Sequence, residues 1–404
     1  MKILRSKHGL TVLYQHFDSD LVDIRFYIGC GAIDEKDPAE YGLCHALEHI
    51  LFAGTKSRSW LDITRAWGSV GAHSNAFTSF DKTVYLASSL KTHWQETFEV
   101  LADVVYNPTF PKDRWEQVEK QAILSEIQGF QDDELRRLDE LIHAHALGSN
   151  FHTVDGNAVD IEKTTVEDLH NIYNKFYQNN NIILIISGDL TESQILKAVN
   201  KYTFDKGDNA PKRERVSFEF NFSPIKIHVP EMEQVLIDAL KPIPYPSTLR
   251  SQIALKVGTH CLQEYLFEEL REKRGLCYMV SATERMDIPN NCFMKIETAT
   301  DRERLPRMRR AFREAMEKFI DEGLTKERVA HIKARDQMSV TADSENIMAS
   351  ADFVWEAWEN QIYSDPFRAT KDIISALDAG TIRRAMRKAL DGKFKLATMT
   401  TTED

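Results

Sequence analysis

The chain has 404 residues, about two to three times a typical domain, so at least two hydrophobic cores are expected. A net charge of −11 argues against a nucleic-acid partner and, by long-range steering alone, mildly favours basic peptides. The longest purely aliphatic run, Ile182–Ile186, is far too short to cross a bilayer, so a membrane role is not expected.

The first residues, MKILRSKHGLTVLYQ, contain no apolar region followed by a small-residue cleavage site, so no secretory signal is visible and a cytoplasmic setting is expected. The five cysteines (Cys30, Cys44, Cys261, Cys277 and Cys292) are odd in number and scattered through apolar segments, which reads as reduced core thiols. After a strand from Val22 to Gly29 comes the most informative run, Gly42-Leu-Cys-His-Ala-Leu-Glu-His-Ile-Leu-Phe52. On a helix, His45 and His49 stand one turn apart on one face, with Glu48 beside them. Two imidazoles at that spacing can close on one zinc ion and leave positions for a third ligand and a water. Glu48 is then free to take a proton from that water instead of binding the metal. The order His-x-x-Glu-His inverts the commoner His-Glu-x-x-His zinc motif and serves the same chemistry. A pair of core histidines satisfied by backbone groups would give a similar pattern.

The segment from Asp113 to about Leu147 predicts one long helix, with Trp115, Val118, Ala122 and Ile123 at helical spacing. Glu119 and Glu126, seven residues apart, fall two turns apart on one face next to apolar positions. An ordinary charged helix surface explains such carboxylates, and so does a cation opposite them. His143 and His145, two apart, point to opposite sides and are poor joint ligands.

Taken together, these runs resemble the inverzincin family of pitrilysin, insulin-degrading enzyme and the mitochondrial processing peptidase. That family's motif is His-x-x-Glu-His, about 75 residues, then Glu; here 76 residues separate His49 from Glu126. By this resemblance His45, His49 and Glu126 are the ligands of one zinc ion per chain, Glu48 is the general base, and Glu119 is a carboxylate supporting the site from behind. Ser74–Leu90, SNAFTSFDKTVYLASSL, resembles the family's following edge strand, and the run Gly71–Ser79, GAHSNAFTS, resembles its substrate-pairing edge. Asn75 and Ala76 are then the residues opposite the scissile bond. Phe176–Leu190, FYQNNNIILIISGDL, resembles the strand closing the first domain.

The stretch Asp205–Arg215, DKGDNAPKRER, is polar and aperiodic, and marks a divide between domains at 1–205 and 216–404. A similar order of elements recurs on both sides. Strand Gln234–Leu240 answers Val22–Gly29, a helix near residue 260 answers the one near 45, and Cys292–Thr298 answers Ala76–Ser88. Laying Leu324–Thr341 on Phe110–Ile127 puts Lys333 at Glu119 and Val340 at Glu126, so only the first copy keeps a metal site. The expected fold class is α+β: two similar domains, each a mostly antiparallel sheet with helices packed on one face. In the second half, Glu264–Ala282 (EYLFEELREKRGLCYMVSA) reads as a helix ending at Gly275 with a solvated charged face, then a strand from Cys277. The resemblance instead makes Arg271 and Tyr278 catalytic, as donors to the oxyanion of a tetrahedral intermediate.

The family resemblance therefore implies a zinc-dependent metalloendopeptidase that hydrolyses peptides or unfolded segments inside an enclosed chamber. It also implies a homodimer in which each metal site is completed by Arg271 and Tyr278 of the other chain, with a heterodimer or action within one chain as competing arrangements. Two readings from other classes stand beside it: a catalytically silent scaffold or partner subunit, and a metal-storage or regulatory protein using the same three ligands.

Overall fold

Strand β3 (Leu21–Ile28) shows how the first sheet is built in the computed structural model, which describes residues 1–148, 151–213, 218–228, 234–286, 288 and 290–400. Successive side chains alternate between faces. Val22, Ile24, Phe26 and Ile28 enter one core, whereas Tyr27 enters a smaller one on the opposite face. Five more strands complete the sheet: β1 (Lys2–Arg5), β2 (Thr11–His16), β4 (His73–Thr78), β5 (Thr83–Leu90) and β6 (Ile182–Gly188). Their order is β1-β2-β6-β3-β5-β4, antiparallel except for the β2–β6 pair. The larger core lies under α1 (Leu43–Leu51), α2 (Trp60–Ser69), α3 (Trp94–Tyr106) and the helices Val166–Phe176 and Glu192–Tyr202.

The second sheet has five strands: β7 (Ile225–His228), β8 (Gln234–Ile243), β9 (Val280–Arg285), β10 (Cys292–Asp301) and β11 (Lys395–Thr400). Their order is β7-β11-β8-β10-β9, with β7–β11 the one parallel pair. This repeats β2-β6-β3-β5-β4 strand for strand, parallel pair included. The duplication expected from the sequence is present in the topology, and among the described residues the first sheet adds only β1 at its margin. The correspondence sharpens one expectation. Ser74–Leu90 is not one edge strand but the hairpin β4–β5, so Cys292–Thr298 in β10 answers β5, and β9 answers the edge strand β4. Phe176–Leu190 contains β6, which lies inside the sheet between β2 and β3.

The chain forms two compact units that are not consecutive halves. The first comprises Met1–Gly129, His152–Glu214 and Ala342–Phe367; the second comprises Phe130–Phe151, Arg215–Thr341 and Arg368–Asp404. The divide expected at Asp205–Arg215 ends in two residues, 214 and 215, that lie outside the described set. Each unit takes one helix from a distant part of the chain. In the first, helix Ile347–Glu359 covers the face of the sheet turned away from α1 and α3. Trp355 stacks on Tyr27 at 4.5 Å and 6°, and on the same face Arg25 bonds Asp23 (2.8 Å), Asp352 (3.3 Å) and the Met348 carbonyl. In the second unit, helix Glu134–Leu147 packs on β8 and β11.

The long helix expected over Asp113–Leu147 is therefore two helices. Asp133 is extended (φ −90°, ψ 108°), and its side chain accepts the Arg136 N–H, capping Glu134–Leu147 and ending Lys120–Asp132. The expected strand start at Cys277 also moves, to Val280. Gly275 adopts φ +59°, and the N–H groups of Gly275 and Leu276 bond back to the Arg271 and Leu270 carbonyls, finishing the helix before the chain can extend.

Candidate metal centre

Helix α1 begins at Gly42, which adopts φ +87° and lies so close to the Asp155 carbonyl that a Cβ would sit 2.7 Å from it. The helix has no side-chain cap of its own at that position. Instead the buried Glu35 carboxylate accepts from the N–H groups of Gly42 (2.9 Å) and Cys44 (2.7 Å), placing negative charge at the helix N-terminus. Burial pushes the Glu35 carboxyl up, and His152, 2.9 Å away and stacked on Tyr41, works against that rise. Leu43, Leu47, Ile50 and Leu51 bury the other side of α1 in the core, so the direction of its imidazoles is set by packing.

From that helix the two rings meet edge to face, with centroids 4.8 Å apart. Glu126, on the Lys120–Asp132 helix, brings Oε2 to 3.6 Å from His45 Nε2 and 3.5 Å from His49 Nε2. Two ligands of one tetrahedral ion bound at about 2.1 Å stand about 3.4 Å apart, so these separations fit the edges of a zinc tetrahedron. The three residues form a group whose ligand atoms all lie within 4.8 Å of one another. Burial, with a smaller push from His49, drives the His45 imidazole down to about 3, which keeps it neutral, the form a metal requires.

Each imidazole has a carboxylate at its other nitrogen. Glu119 Oε2 lies 3.7 Å from His49 Nδ1, while its Oε1 accepts from Arg114 Nε at 2.7 Å. Asp155 Oδ1 lies 3.4 Å from His45 Nδ1, within ion-pair range but not aligned as a hydrogen bond. Such partners fix ring orientation in metal-binding histidines. Burial works against the charge on both members of the Glu119–His49 pair. Their mutual contact, joined by Arg114 on the Glu119 side and by Glu126 and Glu48 on the His49 side, overrides it, holding the Glu119 carboxyl below and the His49 imidazole above the usual range. Glu119 closes a π turn, Trp115–Glu119, whose Trp115 is fully buried and donates its indole N–H to the Thr164 carbonyl at 3.1 Å. That anchor sets the phase of the helix at both carboxylates.

Glu48 stands one residue before His49 but does not join the three ligand atoms. Thr78, the last residue of β4, donates a 2.7 Å hydrogen bond to its Oε2. Burial raises the Glu48 carboxyl, with the Thr78 bond and His49 opposing the rise. Asn75 and Ala76 pair with Leu86 and Tyr85 of β5, and no strand flanks the outer side of β4 among the described residues. A cavity of about 670 Å³ opens beside Glu48, His49 and Glu119, with Ser74, Asn75 and Ala76 on its β4 side.

Arg271 and Tyr278 lie in the second unit and are brought together with each other. The Arg271 guanidinium is 4.9 Å from the Tyr278 ring centroid and 4.7 Å from that of Phe267, and Tyr278 is 75% exposed. His143 and His145 take separate partners, the Asp139 carbonyl and Lys395 Nζ. Cys44, next to a ligand, turns away from the metal group to contact Cys30 Sγ at 2.6 Å; both thiols are buried. Sequence reasoning missed Thr78, Arg114 and Asp155. The Thr-Ser that ends Asn-Ala-Phe-Thr-Ser and the Asp-Gly turn at 155–156 carry no periodic signal that would tie them to α1.

Comparison with known proteins places the chain among related sequences and folds. The family description "Insulinase (Peptidase family M16)" matches residues 11–153, which hold all three candidate ligands, and "Peptidase M16 inactive domain" matches residues 163–335. An uncharacterized zinc protease of Rickettsia bellii is 28% identical over 299 residues, 69% of each chain. The probable mitochondrial-processing peptidase subunit beta of Schizosaccharomyces pombe is 31% identical over 218 residues, 52% of this chain and 46% of that protein. The crystal structure of a peptidase M16 inactive domain from Pseudomonas fluorescens superposes with a TM-score of 0.89 at 19% identity, over 99% of this chain and 98% of that one, and so shares its fold. With both family descriptions matched in order along the chain and the duplicated fold shared, this protein belongs to peptidase family M16.

Proposed function

We propose that the chain is a zinc-dependent endopeptidase acting on short peptides and unfolded segments. The observation that carries this reading is the convergence of His45 Nε2, His49 Nε2 and Glu126 Oε2 at tetrahedral spacing, with Glu48 adjacent and outside the ligand set. Zinc in such a site supplies a Lewis acid that polarises a peptide carbonyl and makes a water acidic. Glu48 accepts the proton of the attacking water and later passes it to the leaving amine. Thr78 holds the Glu48 carboxylate in one orientation. Glu119 and Asp155 keep the two imidazoles aimed at the metal position.

The open side of β4 suits an extended substrate, which adds as a further strand through main-chain hydrogen bonds and places its scissile bond near Asn75 and Ala76. Arg271 and Tyr278, already paired, the tyrosine exposed and the arginine half-buried, are donors for the oxyanion. In our reading they are contributed by the other chain of a homodimer, and the chamber so formed excludes folded proteins. The silent-scaffold alternative draws on the inactive-domain description, but that match covers residues 163–335, which include none of the three candidate ligands. Cleavage of a quenched peptide library with and without a chelator tests the reading. Turnover that stops on chelation and returns with zinc supports it; turnover indifferent to chelation rejects it.

A further inference from the structure

Cys30 and Cys44 are the cysteines of the first unit; Cys261, Cys277 and Cys292 belong to the second. Neither Cys30 nor Cys44 joins the candidate metal group or has a part in the chemistry proposed for it. Their sulfurs stand 2.6 Å apart, nearer than unbonded sulfurs ordinarily pack and about half an ångström beyond the length of a disulfide bond. Each sulfur hangs from a backbone that other bonds hold still. Cys30 leaves β3 with its N–H donating to the Ile28 carbonyl at 2.8 Å, and its own carbonyl accepts from Thr83 Oγ1 at 2.9 Å. The next residue, Gly31, runs so close to the Ser79 carbonyl that a Cβ would sit 2.5 Å from it. Cys44 lies in the first turn of α1, where its N–H donates to the buried Glu35 carboxylate. Packing therefore presents the two side chains to each other, and a bond between them requires little movement of either segment.

We propose that Cys30 and Cys44 form a modification site, closing to an intrachain disulfide with a small hydroperoxide as oxidant, hydrogen peroxide being the simplest. The two residues are 0% and 1% exposed, so a water-sized, uncharged oxidant fits the site, whereas a bulky charged disulfide does not. The reaction balances in two steps. One sulfur attacks a peroxide oxygen; an S–O bond forms, the O–O bond breaks, and water leaves behind a sulfenic acid. The other sulfur then attacks the first; the S–S bond forms, the S–O bond breaks, and the hydroxyl departs with the second thiol proton as water. Two thiols have lost two electrons, and the peroxide has gained them. The product ties the exit of β3 to the first turn of α1, one residue before His45. It closes a loop of sequence separation 14, which restricts the unfolded chain while leaving the folded one nearly unmoved. Its formation needs neither zinc nor turnover, so it stands apart from the peptidase reading.

The test is disulfide mapping on the full-length chain, reduced, freed of reductant and treated with hydrogen peroxide under native conditions. Remaining thiols are alkylated in denaturant before digestion with trypsin. Cuts after Arg25, Lys36 and Lys56 place Cys30 in peptide 26–36 and Cys44 in peptide 37–56. These two peptides, joined and lighter by two hydrogens, should be the main form of Cys44 in the mass spectrum. The thermal midpoint of the oxidised chain, followed by circular dichroism, should rise by about 5 °C or more over the reduced chain. Cys30→Ser should show neither the joined peptides nor the rise. Mapping of the unsubstituted chain remains decisive if that variant does not fold. Recovery of the two peptides unjoined, Cys44 joined to a cysteine of the second unit, or joined peptides with no rise in the midpoint overturns the proposal.

Discussion

Thr78 donates a 2.7 Å hydrogen bond to Glu48, joining the end of the edge strand to the helix that carries both imidazoles. The proposed base is thus oriented by the same strand that is proposed to hold the substrate. A hydrogen bond to a charged group is worth about 1.5–3 kcal/mol. Thr78→Val, which keeps the shape and removes the donor, should lower kcat by about 10- to 100-fold. KM and zinc content should stay near those of the unsubstituted chain, and an unchanged kcat would show that Thr78 does not orient the base.

The Ile347–Glu359 helix holds the far face of the first sheet through Trp355, stacked on Tyr27. Trp355→Ala removes that ring and should cost about 3 kcal/mol, read as a lower denaturation midpoint by circular dichroism. Met338, 72% exposed, is the control; Met338→Ala should stay within about 0.5 kcal/mol. Equal losses would contradict the assignment of this helix to the first sheet.

How much of this was legible in the sequence depended on whether the signal was local. His45, Glu48 and His49 share one helix, and Glu119 and Glu126 another, so their spacing alone predicts which side chains share a face. The repeated strand order also left a trace in the parallel runs of apolar segments. The exchanged helices left none. Helix Ile347–Glu359 is apolar on the side that meets Tyr27, but nothing in its periodicity says which of two similar sheets it covers. The break at Asp133 was hidden because Asp132 and Asp133 suit an exposed helix surface as well as a cap, and no Gly or Pro marks the point. Asp155 reaches His45 from a loop 110 residues away, by tertiary placement only.

Asp238 supplies a pH dependence in the second unit. It is 1% exposed and neither carboxylate oxygen has a hydrogen bond. Lys295, 3.4 Å away, is shared with Asp139 and Glu297 and makes closer contacts with both. Burial therefore dominates and pushes the Asp238 carboxyl up to about 7, with Lys295 only partly opposing it. The unfolded carboxyl titrates near about 4, so the folded state holds its proton more tightly. That contribution to stability is complete below about pH 4 and is lost as pH rises through about 7. Asp238→Asn, permanently neutral, should show a flatter stability profile than the unsubstituted chain between about pH 4 and 7. Identical slopes would refute the assignment.

The shared-site proposal is decided by mixing two inactive chains, Glu48→Gln and Arg271→Ala. If Arg271 acts across a homodimer, each mixed dimer holds one complete site of two, so random exchange should restore about a quarter of the original activity. Proven exchange with no recovery would leave Arg271 acting within its own chain or not at all.

The central claim is that Glu48 acts on the water while His45, His49 and Glu126 hold the metal, and zinc content measured beside turnover tests it most directly. Glu48→Gln should retain one zinc per chain and lose peptide hydrolysis by several orders of magnitude, while Glu126→Ala should lose both. A Glu48→Gln chain that still cleaves peptides, or an unsubstituted chain that binds no zinc at these residues, would contradict the account.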